Sequence, residues 1–223
     1  IRFGGAVDGT TGGAAESLTL DAGAGNIDFQ TVASAISGAG GAADATGLAT
    51  LTITDANNLD IQSILISGVF STTNALGGAV QAVGTVQAGT IDLDADSFDF
   101  DAAVTAGAGG IDLTGGNGIN FDSTLTAGAG GVNTVGNIHT FDALISTSGG
   151  GDVSLNGTAI TITGGITTAG GAANVSITNA GVLDIDGAIT ADGTFTQVDN
   201  GGTVSLGANI STASADGTIQ FNS

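Results

Sequence analysis

The chain has no proline, cysteine, methionine, tryptophan or tyrosine, and one arginine and one histidine are its only basic side chains. Each absence removes a class of structure or chemistry. Without cysteine there are no disulfides and no thiolate metal sites, which fits either a reducing compartment or a surface protein stabilised by repetition alone. One cation against 21 acids leaves a formal charge of −20 at pH 7. Phosphate backbones and anionic bilayers are repelled by such a chain, so nucleic acid is not an expected partner. No apolar run approaches the roughly 18 residues of a membrane span. The opening stretch "IRFGGAVDGT" has neither the charged nor the apolar region of a signal peptide. Membrane insertion is therefore not expected. The lack of Met even at position 1 implies a processed product or an excerpt of a longer chain.

What is present is core material in a narrow vocabulary: 41% of the 223 residues are apolar, and 41 are glycine. That combination points to a folded, repetitive chain. The repeat is a pair of apolar residues two positions apart, then exactly three residues, then another apolar one, the pattern of a strand with one buried face and then a corner. Instances run from Ile1, Phe3, Val7 and Ile27, Phe29, Ala33 through Leu59, Ile61, Leu65 and Phe98, Phe100, Val104. They continue through Ile119, Phe121, Leu125 and His139, Phe141, Ile145 to Val204, Leu206, Ile210. A further strand-like pair precedes nearly every instance, clearest at Leu18/Leu20, Leu51/Ile53, Ile111/Leu113 and Val175/Ile177, and weaker at Phe70, Val132 and Phe195.

These leading pairs recur about every 21 residues, apart from a step of 33 that contains "SGAGGAADATG". A unit of that size cannot bury its apolar face alone, whereas stacked units bury a continuous column. The expected fold is all-β: a parallel β-solenoid of about ten coils with three short strands each. It forms one domain over residues 1–223, with partial coils at both ends and a loop insertion at about 34–47. Phe100, Phe121 and Phe141 fall on consecutive coils and predict an aromatic stack continued by Ile162, Ile185 and Leu206.

Stretches such as "GDVSLNGTAITITGGITTAGGAANVSITNAGVLDIDGAIT" resemble the repeat arrays of filamentous-haemagglutinin-like exoproteins and of autotransporter passenger domains. The resemblance lies in short alternating strands between Gly, Asn, Thr and Ala turns, over residues 15 to 223. It implies a right-handed parallel β-helix, extracellular or on a bacterial surface, serving as shaft, matrix component or filament. The secretion domain of that family has no counterpart here, so no receptor carries over.

Candidate sites follow from the columns. β-Helical enzymes acting on acidic polysaccharides use Lys or Arg to meet substrate carboxylates, and Arg2 is the only such residue. With no Trp or Tyr to line a sugar cleft, the chain reads as a non-enzyme, and no catalytic residue or cofactor is assigned. His139 falls in the inward column between Ile119 and Ile160, as a neutral core histidine unless a small shift turns Ile138 inward. Asp101, Asp122 and Asp142 follow the Phe column by one position, with Asp99 and Asn120 on the same face. Carboxylates about 5 Å apart repel by roughly 0.8 kcal/mol per pair even at the dielectric of water. Weak Ca²⁺ binding at Asp99, Asp101, Asp122 and Asp142 is one expectation, and a solvated acidic face that keeps the rod soluble is the other. Thr105, Thr126, Thr167 and Thr190 form a row in which hydroxyls bond from coil to coil.

The two ends read as complementary: Ile1, Phe3 and Val7 are the second and third strands of a coil, and Ile219 and Phe221 are a first strand. Either the chain is cut from a longer solenoid, or Ile219 to Phe221 of one copy completes the coil begun by Ile1 to Val7 of the next. The functional expectation is a structural shaft or filament element whose partner is itself or the remainder of a longer solenoid. The alternative is an adhesin segment binding a glycan or cell-surface receptor, and a polysaccharide-active enzyme is the third reading.

Overall fold

A computed structural model describes residues 1–8, 16–29, 36–37, 48–199 and 201–222. Among these residues there are 26 strands and no helix, and every strand pairing is parallel. Each coil has three strands, and each strand lies on the corresponding strand of the next coil. The coil built from Val132–Val135, Ile138–Phe141 and Ile145–Thr147, for example, carries Val153–Gly157, Ala159–Ile162 and Ile166–Thr168 above it. The chain is a parallel β-solenoid with coils about 21 residues apart.

The apolar alternation explains this arrangement locally. Strand side chains point to opposite faces in turn, so residues two apart share a face. In Leu183–Ile185 and Leu59–Ile61 the outer two residues are buried and the middle one is not. Backbone groups left free within a coil are satisfied by its neighbours, as where the Val86 amide donates to Ala103 O at 3.0 Å and the Ile160 amide to Val182 O at 2.9 Å. The leading residues Phe70, Val132 and Phe195, weak in the sequence pattern, are all buried.

Three expectations need correction. The count of about ten coils included partial ones: roughly eight full turns run from Leu48 to Thr212. In the coil of Leu59 and Ile61 the inward third-strand residue is Ile64, not Leu65. Ile64 pairs with Val86 and is fully buried, because this corner is one residue shorter than the others. In the coil of Ile27 and Phe29, Val7 pairs with Ile36, so the strand Ile36–Ser37 falls inside the stretch assigned to the 34–47 insertion. The remainder of that stretch, and Ala33, lie outside the described residues.

The corners absorb differences in coil length. Thirteen register positions join Val86–Phe100 to Val104–Phe121, with irregularities only between Ala88 and Thr90 and between Ala95 and Ser97. Bulges there keep the columns aligned although the corner lengths differ. The Phe column is formed as expected: Phe100 and Phe121 stack at 4.9 Å with 9° between planes, and Phe121 and Phe141 at 5.6 Å and 10°. Phe3 on Phe29, at 4.6 Å and 5°, begins the same column near the N-terminus.

Candidate functional site: the outward acidic face

The outward positions of the second strands form a row that descends through Asp28, Asp60, Gln81, Asp99, Asn120 and Thr140. Asp101, Asp122 and Asp142 stand just past it, all exposed. Their amides continue the ladder by donating to Ala82 O, Phe100 O and Phe121 O at 3.0, 3.0 and 2.9 Å. The backbone thus places these three carboxylates one coil apart, as the spacing implied.

Asparagine side chains meet the carboxylates from the adjacent coil. Asn120 Nδ2 donates to Asp99 Oδ1 at 2.9 Å and to Asp122 Oδ1 at 2.8 Å, using both amide hydrogens. Asn117 donates to both carboxylate oxygens of Asp96, at 2.8 and 2.9 Å. Asn133 donates to Asp112 at 2.9 Å, and the Asn174 backbone amide to Asp152 at 2.6 Å. A neutral donor one coil along relieves the stacked charge without a cation, because the carboxylate accepts a hydrogen bond from a group that carries no repelling charge of its own.

Sequence reasoning missed these pairs, although their signal was present. Asn117, Asn120 and Asn133 each lie 21 residues after the aspartate they serve, one full coil. Asp99 is consequently joined to Asp122 through Asn120, while Asp101 and Asp142 remain in the solvent-facing row. Among the described residues no group of three or more His, Asp or Glu side chains is arranged to hold a metal ion. The calcium expectation rests on an open row of carboxylates, not on an enclosed site.

Two aspartates sense their surroundings. Burial, and then the charge of Asp28, raise the pKa of Asp60 from its ordinary value. Burial, then Asp112 and Asp94, do the same for Asp92. Arg2 Nε lies 3.2 Å from Asp28 Oδ2, with the guanidinium largely in water. So exposed a pair contributes little stability. It does engage the one cation that an enzymatic reading would have required.

The threonine row is formed. Thr105, Thr126, Ser146, Thr167 and Thr190 succeed one another in register, and Thr126 Oγ1 lies 3.1 Å from Ser146 Oγ. The proposed assembly residues stand at opposite ends of the stack. Ile219 and Phe221, 45% and 46% exposed, pair with the strand of Phe195, while Phe3 and Val7 pair with Phe29 and Ile36. His139 occupies the inward column between Ile119 and Ile160, and Ile138, 54% exposed, faces out, which excludes the shifted register.

The amide ladder makes a direct prediction. Asn120→Asp replaces a shared donor by a third carboxylate between Asp99 and Asp122. At about 5 Å spacing, the added repulsion and the two lost hydrogen bonds lower stability by about 2 kcal/mol at pH 7. Urea unfolding in low salt should show that loss, and it should shrink in 0.5 M salt, where the Debye length falls to about 4 Å.

No family model, curated protein or solved structure matches this chain, and its own geometry identifies it as a parallel β-solenoid repeat protein.

Proposed function

We propose that the protein is a structural element of an extracellular assembly: a rigid, acidic β-solenoid shaft, filament or matrix segment of the filamentous-haemagglutinin-like kind, on a bacterial surface. The observation that carries this reading is continuity. From Leu48 to Thr212 every coil lies in parallel register on the next, and the apolar columns run through all of them. Such a stack resists bending and extension through its ladders as a whole, and rows of Asp, Asn, Thr and Ser on the outward faces keep the rod solvated. Calcium held weakly along Asp99, Asp101, Asp122 and Asp142 would add to that role by relieving repulsion along the acidic face. The end coils carry the columns outward at Ile1, Phe3 and Val7 and at Ile219 and Phe221. A further coil stacks there, supplied either by more of the same chain or by a second copy.

Cryo-electron microscopy of the native material tests this. Extended rods with an axial repeat of about 4.8 Å support the structural role. Chain breaks recurring along those rods assign the end coils to copies, and unbroken rods assign them to one longer chain. Compact particles with no axial repeat would refute it.

A further inference from the structure

His139 stands where the adjacent coils place hydrocarbon. Its imidazole lies between Ile119 and Ile160 and is fully buried, at 0% relative exposure. Nδ1 meets the Thr134 hydroxyl at 3.3 Å, itself buried on the first strand of the same coil. Nε2 has no hydrogen-bond partner. It is directed at the corner of Gly136, so tightly enclosed that a Cβ on that glycine would lie 2.9 Å from it. Phe141 packs edge-on at 6.1 Å. The strands packed around the ring are Val104–Phe121, Val132–Val135, Val153–Gly157 and Ala159–Ile162. They contribute one charged side chain, Asp112, which faces solvent, as do the flanking Asp122, Asp142 and Asp152. The imidazolium finds no counter-charge, and its Nε2 proton finds no acceptor.

We propose that the coil containing His139 is an acid-labile joint in the rod, at which protonation of the imidazole opens the stack between the coils of Ile119 and Ile160. The interior elsewhere answers its buried polar groups. The two other large polar residues buried among the described ones, Asn179 and Gln197, pair with each other: Asn179 accepts from Gln197 Nε2 at 2.7 Å and donates to Gly181 O at 2.8 Å. Only at His139 is a buried side-chain polar atom left without a partner among the described residues. Each coil touches only its neighbours, so opening begins locally and does not require the whole rod to unfold.

The direction of the pH dependence follows from where the proton binds first. Burial lowers the His139 pKa from 6.5 to about 4 in the closed stack. An opened coil returns the ring to water and to its ordinary value. The stabilisation is therefore complete above about pH 6.5 and is lost as pH falls towards 4. A gap of that size weakens closure on the order of a hundred-fold. The raised pKa values of Asp60 and Asp92 act in the opposite direction, since a carboxyl whose pKa is raised in the folded state gains stability as pH falls. The test must isolate the histidine.

Urea unfolding of the whole 223-residue chain, wild type against His139→Ile, from pH 7.5 to 4.5, provides that difference. The isoleucine matches its column neighbours. The wild-type folding equilibrium should fall on the order of a hundred-fold more than that of the variant over this range. Parallel curves overturn the proposal. If the variant fails to fold, the wild type still decides the matter, since its one histidine gives an unambiguous NMR signal. The ring should remain neutral below pH 6 while amide exchange accelerates in Val132–Val135 and Ile138–Phe141. A ring that titrates near 6.5 with the native spectrum intact overturns the proposal.

Discussion

Phe121→Ala should destabilise the protein by about 4 kcal/mol, near the upper part of the range for emptying an aromatic core site. The ring is buried and stacked between Phe100 at 4.9 Å and Phe141 at 5.6 Å. Removing it leaves two ring faces without contact. Collapse cannot close the gap along the rod axis, because the ladders on either side hold successive coils at a fixed strand spacing. The cavity therefore persists, and the cavity cost adds to the lost transfer free energy. Phe121→Leu keeps much of the volume and should cost about 1 kcal/mol. Urea midpoints for the pair measure both effects. Equal, small losses would mean that the column is not packed as described.

Gly165→Ala should be nearly as damaging, although it adds a single carbon at a corner. Gly165 has φ +87°, a conformation that costs an L-residue about 1–2 kcal/mol. A Cβ there would overlap the carbonyl oxygen of Ala188 in the next coil. That carbonyl accepts the Ile166 amide at 3.0 Å, so it cannot retreat without breaking the ladder. Strain and overlap together amount to about 3–4 kcal/mol. Gly23 is the control: its φ is +54°, but nothing lies within 4 Å of a Cβ placed on it. Gly23→Ala should show the conformational cost alone, about 1 kcal/mol. Thermal unfolding that ranks the two variants equally would show that inter-coil contact at the corner contributes nothing.

The columns could be read from the chain because they depend on two local rules, the alternation of side chains along a strand and the recurrence of the unit. Phe100, Phe121 and Phe141 were placed together by counting, and so was His139 between Ile119 and Ile160. The threonine row followed from the same count. The rule failed where a corner changed length. Between Phe70 and Val80 there are more residues than between Ile91 and Phe98, and bulges at Leu76/Ala79 and Ala95/Ser97 take up the difference. A fixed spacing locates neither such bulges nor the shorter corner between Ile61 and Ile64, which is why Leu65 was expected inward where Ile64 is.

The acidic face shows the same division in chemistry. The stacking of Asp101, Asp122 and Asp142 was legible from their shared place after the Phe column. The neutral donors on the acidic faces were not legible in the same way: Asn120 serves Asp99 and Asp122, Asn117 serves Asp96 and Asn133 serves Asp112. Whether an outward amide reaches a carboxylate on its own coil, on the next, or on both depends on side-chain direction at a corner. Asn120 reaches both.

By itself the sequence determined the period, the parallel solenoid and the membership of the second-strand inward columns, because alternation and repetition are properties that a one-dimensional string carries in full. Only the tertiary structure decided the start of individual third strands, the pairing of Asp96, Asp99 and Asp112 with an asparagine one coil away, and the isolation of the His139 Nε2 atom. These depend on corner geometry and on which atoms face one another across about 5 Å between coils, and a spacing rule along the chain does not contain that distance.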